Sequence, residues 1–272
     1  MPDAERIFSF VRTPERTRKP RTYGLTMVSG GDYWLAVAGM NWLHDLVDWG
    51  KQYIDYYKVG HTMIFQPKDL VLKKLALLKH SGIEPYLGGN TTEVAILQNS
   101  LGSFFDELHR LNIVAMEVSS TVLPLTVDEK AKLIEKARGQ GFTVFAEVGK
   151  KLIGQGGPKT RMTTSDVIQE MKACLSAGAF KVVYEHTEIE DLVRKGSGFE
   201  PLLEIAAAVS VEKVMFEVPH GHWHEVSPYA TFYILQFGPN VNIGDVDPEK
   251  VIGMESLRAG LSAKTLGKVP AV

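Results

Sequence analysis

The sequence predicts an α/β chain closed into a single-domain TIM (β/α)8 barrel. Two observations carry this: short runs with strand character recur eight times at intervals of about 30 residues, and segments with apolar residues at helical spacing lie between them. Parallel strands need a crossover of this size, which a helix supplies. An open doubly wound sheet is the alternative arrangement of the same units. The 272 residues, 44% of them hydrophobic, suit one barrel of ordinary size.

In order, the strand runs are "YGLTMV" (23 to 28), "YIDYYKVG" (53 to 60), "IEPYLGG" (83 to 89), "IVAMEVS" (113 to 119), "FTVFAEVG" (142 to 149), "FKVVYEH" (180 to 186), "VEKVMFEV" (211 to 218) and "NVNIGDV" (240 to 246). The helical patterns include "PKDLVLKKLALLKHSG", "FFDELHRLN", "TVDEKAKLIEKARGQG" and "TTSDVIQEMKACLSAG". Thr126 with Glu129 three residues on, and Thr163 or Thr164 before "SDVIQEM", are start signals. "GKKLIGQGGPKTR" (149 to 161) has no helical period and is expected as a long loop after the fifth strand, and "IEDLVRKGSGFE" as another after the sixth. Residues 1–20 read as an extended lead-in and 21–272 as the catalytic barrel.

Thirty basic residues against 32 acidic ones give a net charge of −2, with no electrostatic footprint for nucleic acid or an anionic membrane. The basic stretch "RTPERTRKPR" (12 to 21) holds two prolines and has no apolar segment after it. Cys174 is the single cysteine. No disulfide can form within the chain, so a reducing, cytoplasmic setting is the expectation. The apolar runs fall short of a bilayer span.

The strand ends carry the chemistry. Lys58 closes the second run, Glu117 the fourth, Glu147 the fifth, Glu185 the sixth and Glu217 the seventh. Singly, each glutamate has an ordinary reading as a solvated edge or a helix cap. Four at one end of a barrel repel one another unless a cation neutralises them, and oxygen ligands favour Mg²⁺ over Zn²⁺. After the fifth strand come Lys150 and Lys151, then Lys159 and Arg161, expected as a solvated loop or as anion capture beside the metal. Gly88 and Gly89, with Asn90 behind them, let backbone amides approach an anion, although turns use such a pair constantly. His220, His222 and His224 alternate in "PHGHWHE". On a strand they would share one face. Three readings stand for them: pocket residues that touch an anionic substrate or move protons, an ordinary loop, or metal ligands.

With those residues in place, the chain resembles the phosphosulfolactate synthase family, enzymes that add sulfite to phosphoenolpyruvate in coenzyme M synthesis, and it shares a superfamily with a plant heat-stress-associated protein. The resemblance runs through "KPRTYGLTMV", "YIDYYKVG", "PYLGGNTTE", "AMEVSS", "GFTVFAEVGKK" and "KVMFEVP" to "GPNVNIGDVDPEKVIGMESLRAGLSAKTLGKV". It implies a TIM barrel, Mg²⁺ and enolate chemistry. Matched motif by motif, it places Lys58, Glu147 and Lys150 among the catalytic residues and Glu117, Glu147, Glu185 and Glu217 around the metal. Gly88, Gly89 and Lys151 match on the substrate side, where this chain's own Asn90, Lys159, Arg161, Asn242 and three histidines are also expected, Asn90 and the histidines at points where it departs from the family. Departures lie in strand-end loops: "HTEIEDLVRKGSG" follows Glu185, and "HGHWHEVSP" follows the seventh strand. The expected partners are small anions, phosphoenolpyruvate-like with sulfite or another nucleophile, and further copies of the chain in a homo-oligomer. A different nucleophile on the same enolate, or a catalytically silent stress protein, are the alternatives.

Overall fold

The structure, a computed structural model, describes residues 7–29, 39–120, 123–150, 162–194 and 198–270. Eight strands, β1 (Thr26–Ser29), β2 (Tyr56–Val59), β3 (Glu84–Leu87), β4 (Ala115–Val118), β5 (Thr143–Val148), β6 (Lys181–Tyr184), β7 (Val214–Glu217) and β8 (Asn242–Val246), form one closed barrel in sequence order. All pairings are parallel, and β1 pairs with both β2 and β8, which excludes the open sheet. Each strand lies in one of the eight predicted runs, except that β1 extends one residue past its run, to Ser29.

The helices are α1 (Met40–Gly50), α2 (Lys68–His80), α3 (Gly89–Leu97), α4 (Leu101–Arg110), α5 (Val127–Gly139), α6 (Thr164–Ser176), α7 (His186–Arg194), α8 (Glu200–Val209), α9 (Trp223–Phe237) and α10 (Val251–Arg258). Both predicted starts form reciprocal capping boxes, Thr126 with Glu129 and Thr163 with Asp166. The expected loop after β6 is in part helix α7. Its residues Ile189 and Leu192, three apart, are buried together on one face, so helix formation covers apolar area that a loop would expose. No helix among the described residues is long and apolar enough to cross a membrane.

Alternation along the strands separates two cores. Leu25, Met27, Tyr86, Ala115, Phe145, Val183 and Met215 fill the barrel interior, while Val28, Tyr57, Met116, Val182 and Phe216 belong to the layer between strands and helices. Tyr86 and Tyr56 meet the edge of Phe145 at 4.8 and 4.9 Å between ring centroids. Gly244 makes room for this plug: a Cβ there would stand 3.1 Å from the Met215 side chain and 3.2 Å from Met27. The axis is therefore closed below the carboxyl ends of the strands.

One irregularity shapes what lies above. Thr26 pairs with Ile243 and Val28 with Val246, so two steps of β1 oppose three of β8. The extra residue is a bulge, and Asp245 adopts φ 53° within it. Strict alternation would send Asp245 outward, opposite to Gly244; the bulge turns it in.

Candidate active site at the carboxyl ends of the strands

Immediately above the plug, the strand ends present Ser29, Lys58, Gly88, Glu117, Glu147, Glu185, Glu217 and Asp245 in order around the barrel. Lys58 is 1% exposed, and its Nζ lies 3.0 Å from Asp245 and 3.5 Å from both Glu117 and Glu217. Glu147 and Glu185 complete an acidic arc whose members are each at most 3% exposed. Carboxyl oxygens of Glu117, Glu147 and Glu217 lie within 4.8 Å of one another, and a second group of that kind joins Glu185, His186 and Glu217. The first set offers oxygen alone, buried and in excess of nearby cations, which fits Mg²⁺. The sequence brings these glutamates together because every one occupies an inward position at the same height.

Burial and the Asp245 charge raise the Glu217 carboxyl to about 7, against the opposing pull of Lys58 and a hydrogen bond from His186. Asp245 shows the reverse outcome. Burial opposes its charge, yet Lys58, His220 and His186 together hold it well below the usual carboxylate range. Because Glu217 and Asp245 both contact the one lysine, they share its charge, and the better-surrounded aspartate keeps the anion.

Glu117 is fixed from two sides. The Gly89 N–H donates to it at 2.8 Å and the Tyr86 hydroxyl donates to its other oxygen. The Gly88–Gly89 expectation is thus corrected: an amide does meet an anion there, but the anion is the protein's own Glu117, at the start of α3. A Cβ on Gly89 would collide with the side chains of Ser119 and Glu117. The Gly88 N–H is taken by the Val59 carbonyl at 2.9 Å, and Asn90 stands half-buried in the first turn of α3.

The histidines separate. His220 alone faces the site, its Nδ1 2.9 Å from Asp247 and its Nε2 3.6 Å from Asp245. Burial disfavours the charged ring, but these carboxylates outweigh it and raise His220 to about 10. Gly221, at φ 139°, breaks any strand, and α9 begins two residues later. His222 becomes its N-cap, and His222 and His224 stack on each other, exposed, with centroids 5.8 Å apart. Neither faces the strand ends as expected, because alternate spacing shares a face only on a strand. Asn242 is a second correction. It opens β8 at the opposite end of the barrel, where it accepts from the Leu25 N–H and donates to the Glu212 and Val214 carbonyls.

Lys150 follows Gly149 at the rim with its side chain exposed. Its N–H donates to buried Glu188 at 3.0 Å, and the Met162 N–H donates to the other oxygen of the same carboxylate at 2.8 Å. Lys151, Lys159 and Arg161 lie outside the described residues. Sequence reasoning missed Asp245, His186, Asp247 and Tyr86. Asp245 is next to last in the eighth predicted run and was accessible by the logic applied to the glutamates. His186 follows Glu185 directly, and its Nδ1 lies 3.1 Å from Glu185 and 3.6 Å from Glu217.

Comparison with known proteins identifies the family. Phosphosulfolactate synthase of Methanothermobacter thermautotrophicus is 30% identical over 96% of this chain and 98% of its own, and that of Bacillus subtilis is 27% identical over 93% and 96%. Protein HEAT-STRESS-ASSOCIATED 32 of Arabidopsis thaliana is 23% identical over 92% of this chain and 91% of its own. A solved phosphonopyruvate hydrolase in complex with oxalate and Mg++ shares the fold, with a TM-score of 0.51, 11% identity and coverage of 84% of this chain and 77% of its own. The model of the (2R)-phospho-3-sulfolactate synthase (ComA) family matches residues 14–264, and the chain belongs to that family.

Proposed function

We propose that this chain is a Mg²⁺-dependent phosphosulfolactate synthase that joins sulfite to C3 of phosphoenolpyruvate. The observation that supports this most is the buried arc of Glu117, Glu147, Glu185, Glu217 and Asp245 closing on Lys58, in a member of this family. Glu117, Glu147 and Glu217 would hold the cation, with Glu185 beside them. When bound, Mg²⁺ supplies a Lewis acid at the substrate carboxylate, where charge develops.

The chain's own residues do the rest. The sulfite sulfur forms the bond to C3, the C2–C3 π electrons move onto C2 and the carboxylate, and a proton delivered to C2 completes the addition. The aromatic plug of Tyr56, Tyr86 and Phe145 closes the site from below and keeps water from that side. Two lysines stand at the mouth to supply the proton, Lys58 inside the arc and Lys150 on its rim. Replacing each by methionine separates them: the acid is the one whose loss removes turnover while phosphoenolpyruvate still binds.

The direct test incubates the protein with phosphoenolpyruvate, sulfite and Mg²⁺, with and without EDTA, and follows the products by ³¹P NMR and mass spectrometry. An EDTA-sensitive sulfonate adduct, reduced about 100-fold or more by Glu147→Gln, is the expected outcome. Phosphoenolpyruvate that docks with Mg²⁺ but stays unchanged would point to another nucleophile. No docking would favour a silent barrel.

A further inference from the structure

The ring above the plug is uneven. From β4 round to β8 every strand end contributes a carboxylate, whereas β1, β2 and β3 contribute Ser29, Lys58 and Gly88. An anion entering this mouth is repelled by the first arc wherever a cation does not intervene, and only the β1–β3 arc receives it without that penalty.

Ser29 is the polar side chain of that arc whose bonding is incomplete. It follows inward-facing Met27 by two residues, so it points to the same interior, one layer higher. In the parallel register it stands beside Lys58. The residue is 0% exposed, and among the described residues its Oγ has no hydrogen-bond partner. A buried hydroxyl without a partner is costly and uncommon, and neighbouring hydroxyls avoid the cost: those of Tyr86, Thr92 and Ser119 are all bonded. We infer that Ser29 is a substrate-binding residue whose hydroxyl donates to an oxygen of the anionic substrate seated on the β1–β3 arc beside Lys58. The identity of that anion as phosphoenolpyruvate rests on the function proposed above; the place of the oxyanion does not.

Ser29→Ala in the full-length chain tests this with two readings. Because the hydroxyl bonds nothing among the described residues, the melting temperature without ligand is expected to stay the same or rise. Calorimetric titration with phosphoenolpyruvate in Mg²⁺ then shows affinity weakened about tenfold, the usual effect of losing one hydrogen bond to a charged group. A melting temperature lowered by several degrees would mark the hydroxyl as structural and overturn the inference, as would affinity within twofold of the parent. The same titrations with inorganic phosphate and with sulfite separate the two claims. If the parent binds either of those but not phosphoenolpyruvate, and Ser29→Ala weakens that binding, Ser29 keeps its role while the phosphoenolpyruvate reading falls. If the parent binds none of the three, both fall.

Discussion

At the amino end of the barrel, Arg258 is completely buried and donates to the carbonyls of Pro239, Val241 and Leu25 and to the Thr26 hydroxyl oxygen, while Glu255 lies 3.4 Å from its Nε. At the carboxyl end, Lys58 is buried to nearly the same degree but stands among carboxylates that outnumber it. Around Arg258 both Nη atoms find oxygen acceptors and the neighbouring cations are paired, Arg16 with Glu255 at 3.2 Å and Arg21 with Asp55 at 3.0 Å. Around Lys58, among the described residues, it is the carboxylates that are in excess. One end of this barrel uses buried polar groups to hold the lead-in and the first and last strands together; the other, among the described residues, gathers more carboxylates than cations. This is the division of labour expected of the fold, with stability below and chemistry above.

The largest effect that would break the comparison is at Arg258. Arg258→Met removes a buried cation that donates to three carbonyls and a hydroxyl, of which the Pro239 and Leu25 carbonyls keep Arg16 and the Ile243 N–H as donors, and urea denaturation should show a loss of about 3–5 kcal/mol. If the loss is below about 1 kcal/mol, the amino end is not the stabilising half. Glu217→Gln has the opposite sign. The folded carboxyl titrates at about 7 against an ordinary 4.5, so the folded state retains a proton that the unfolded chain releases between these values. Stability of the metal-free protein therefore falls as pH rises from about 4.5 to 7, by up to about 3 kcal/mol. Denaturation in EDTA at several pH values should show that slope in the parent, its loss in Glu217→Gln, and a variant more stable than the parent above pH 7. Asp245→Asn sharpens the contrast within the same ring. Asp245 is held below its ordinary value, so it contributes stability above about pH 4 that is lost on acidification, and its removal should cost about 2 kcal/mol at neutral pH in the same assay.

These opposite signs also explain how much of the site was legible. Glu117, Glu147, Glu185 and Glu217 could be read from the sequence because strand ends at a common height follow from eight regular runs. Asp245 sits in an equally visible run, but its inward turn depends on a bulge, and a bulge is a matter of register between β1 and β8 rather than of local pattern. The fold was legible for the converse reason: apolar periodicity and capping boxes are local. Gly89 was legible in kind but not in partner, since an amide at a helix start needs an anion and sequence alone does not say whose. Asn242 was misplaced because it opens β8 instead of closing it, and the two ends of a four- or five-residue strand look alike until the register is known.

The last comparison separates the histidines that alternate in sequence. His220 is clamped by Asp245 and Asp247 and titrates at about 10, against 6.5 for an ordinary imidazole. Its folded pKa is raised, so the stability it contributes is complete below about pH 6.5 and disappears as pH climbs toward 10. His220→Asn should accordingly be less stable than the parent at pH 6 and converge on it near pH 10. His224 stacks in the open on His222, away from the strand-end carboxylates, and His224→Ala should stay within about 0.5 kcal/mol of the parent throughout. Thermal melts of the three proteins across that range measure both. A pH-dependent loss in His224→Ala equal to that of His220→Asn would mean that the loop acts as one unit, and the boundary drawn at Gly221 between site and surface would be wrong.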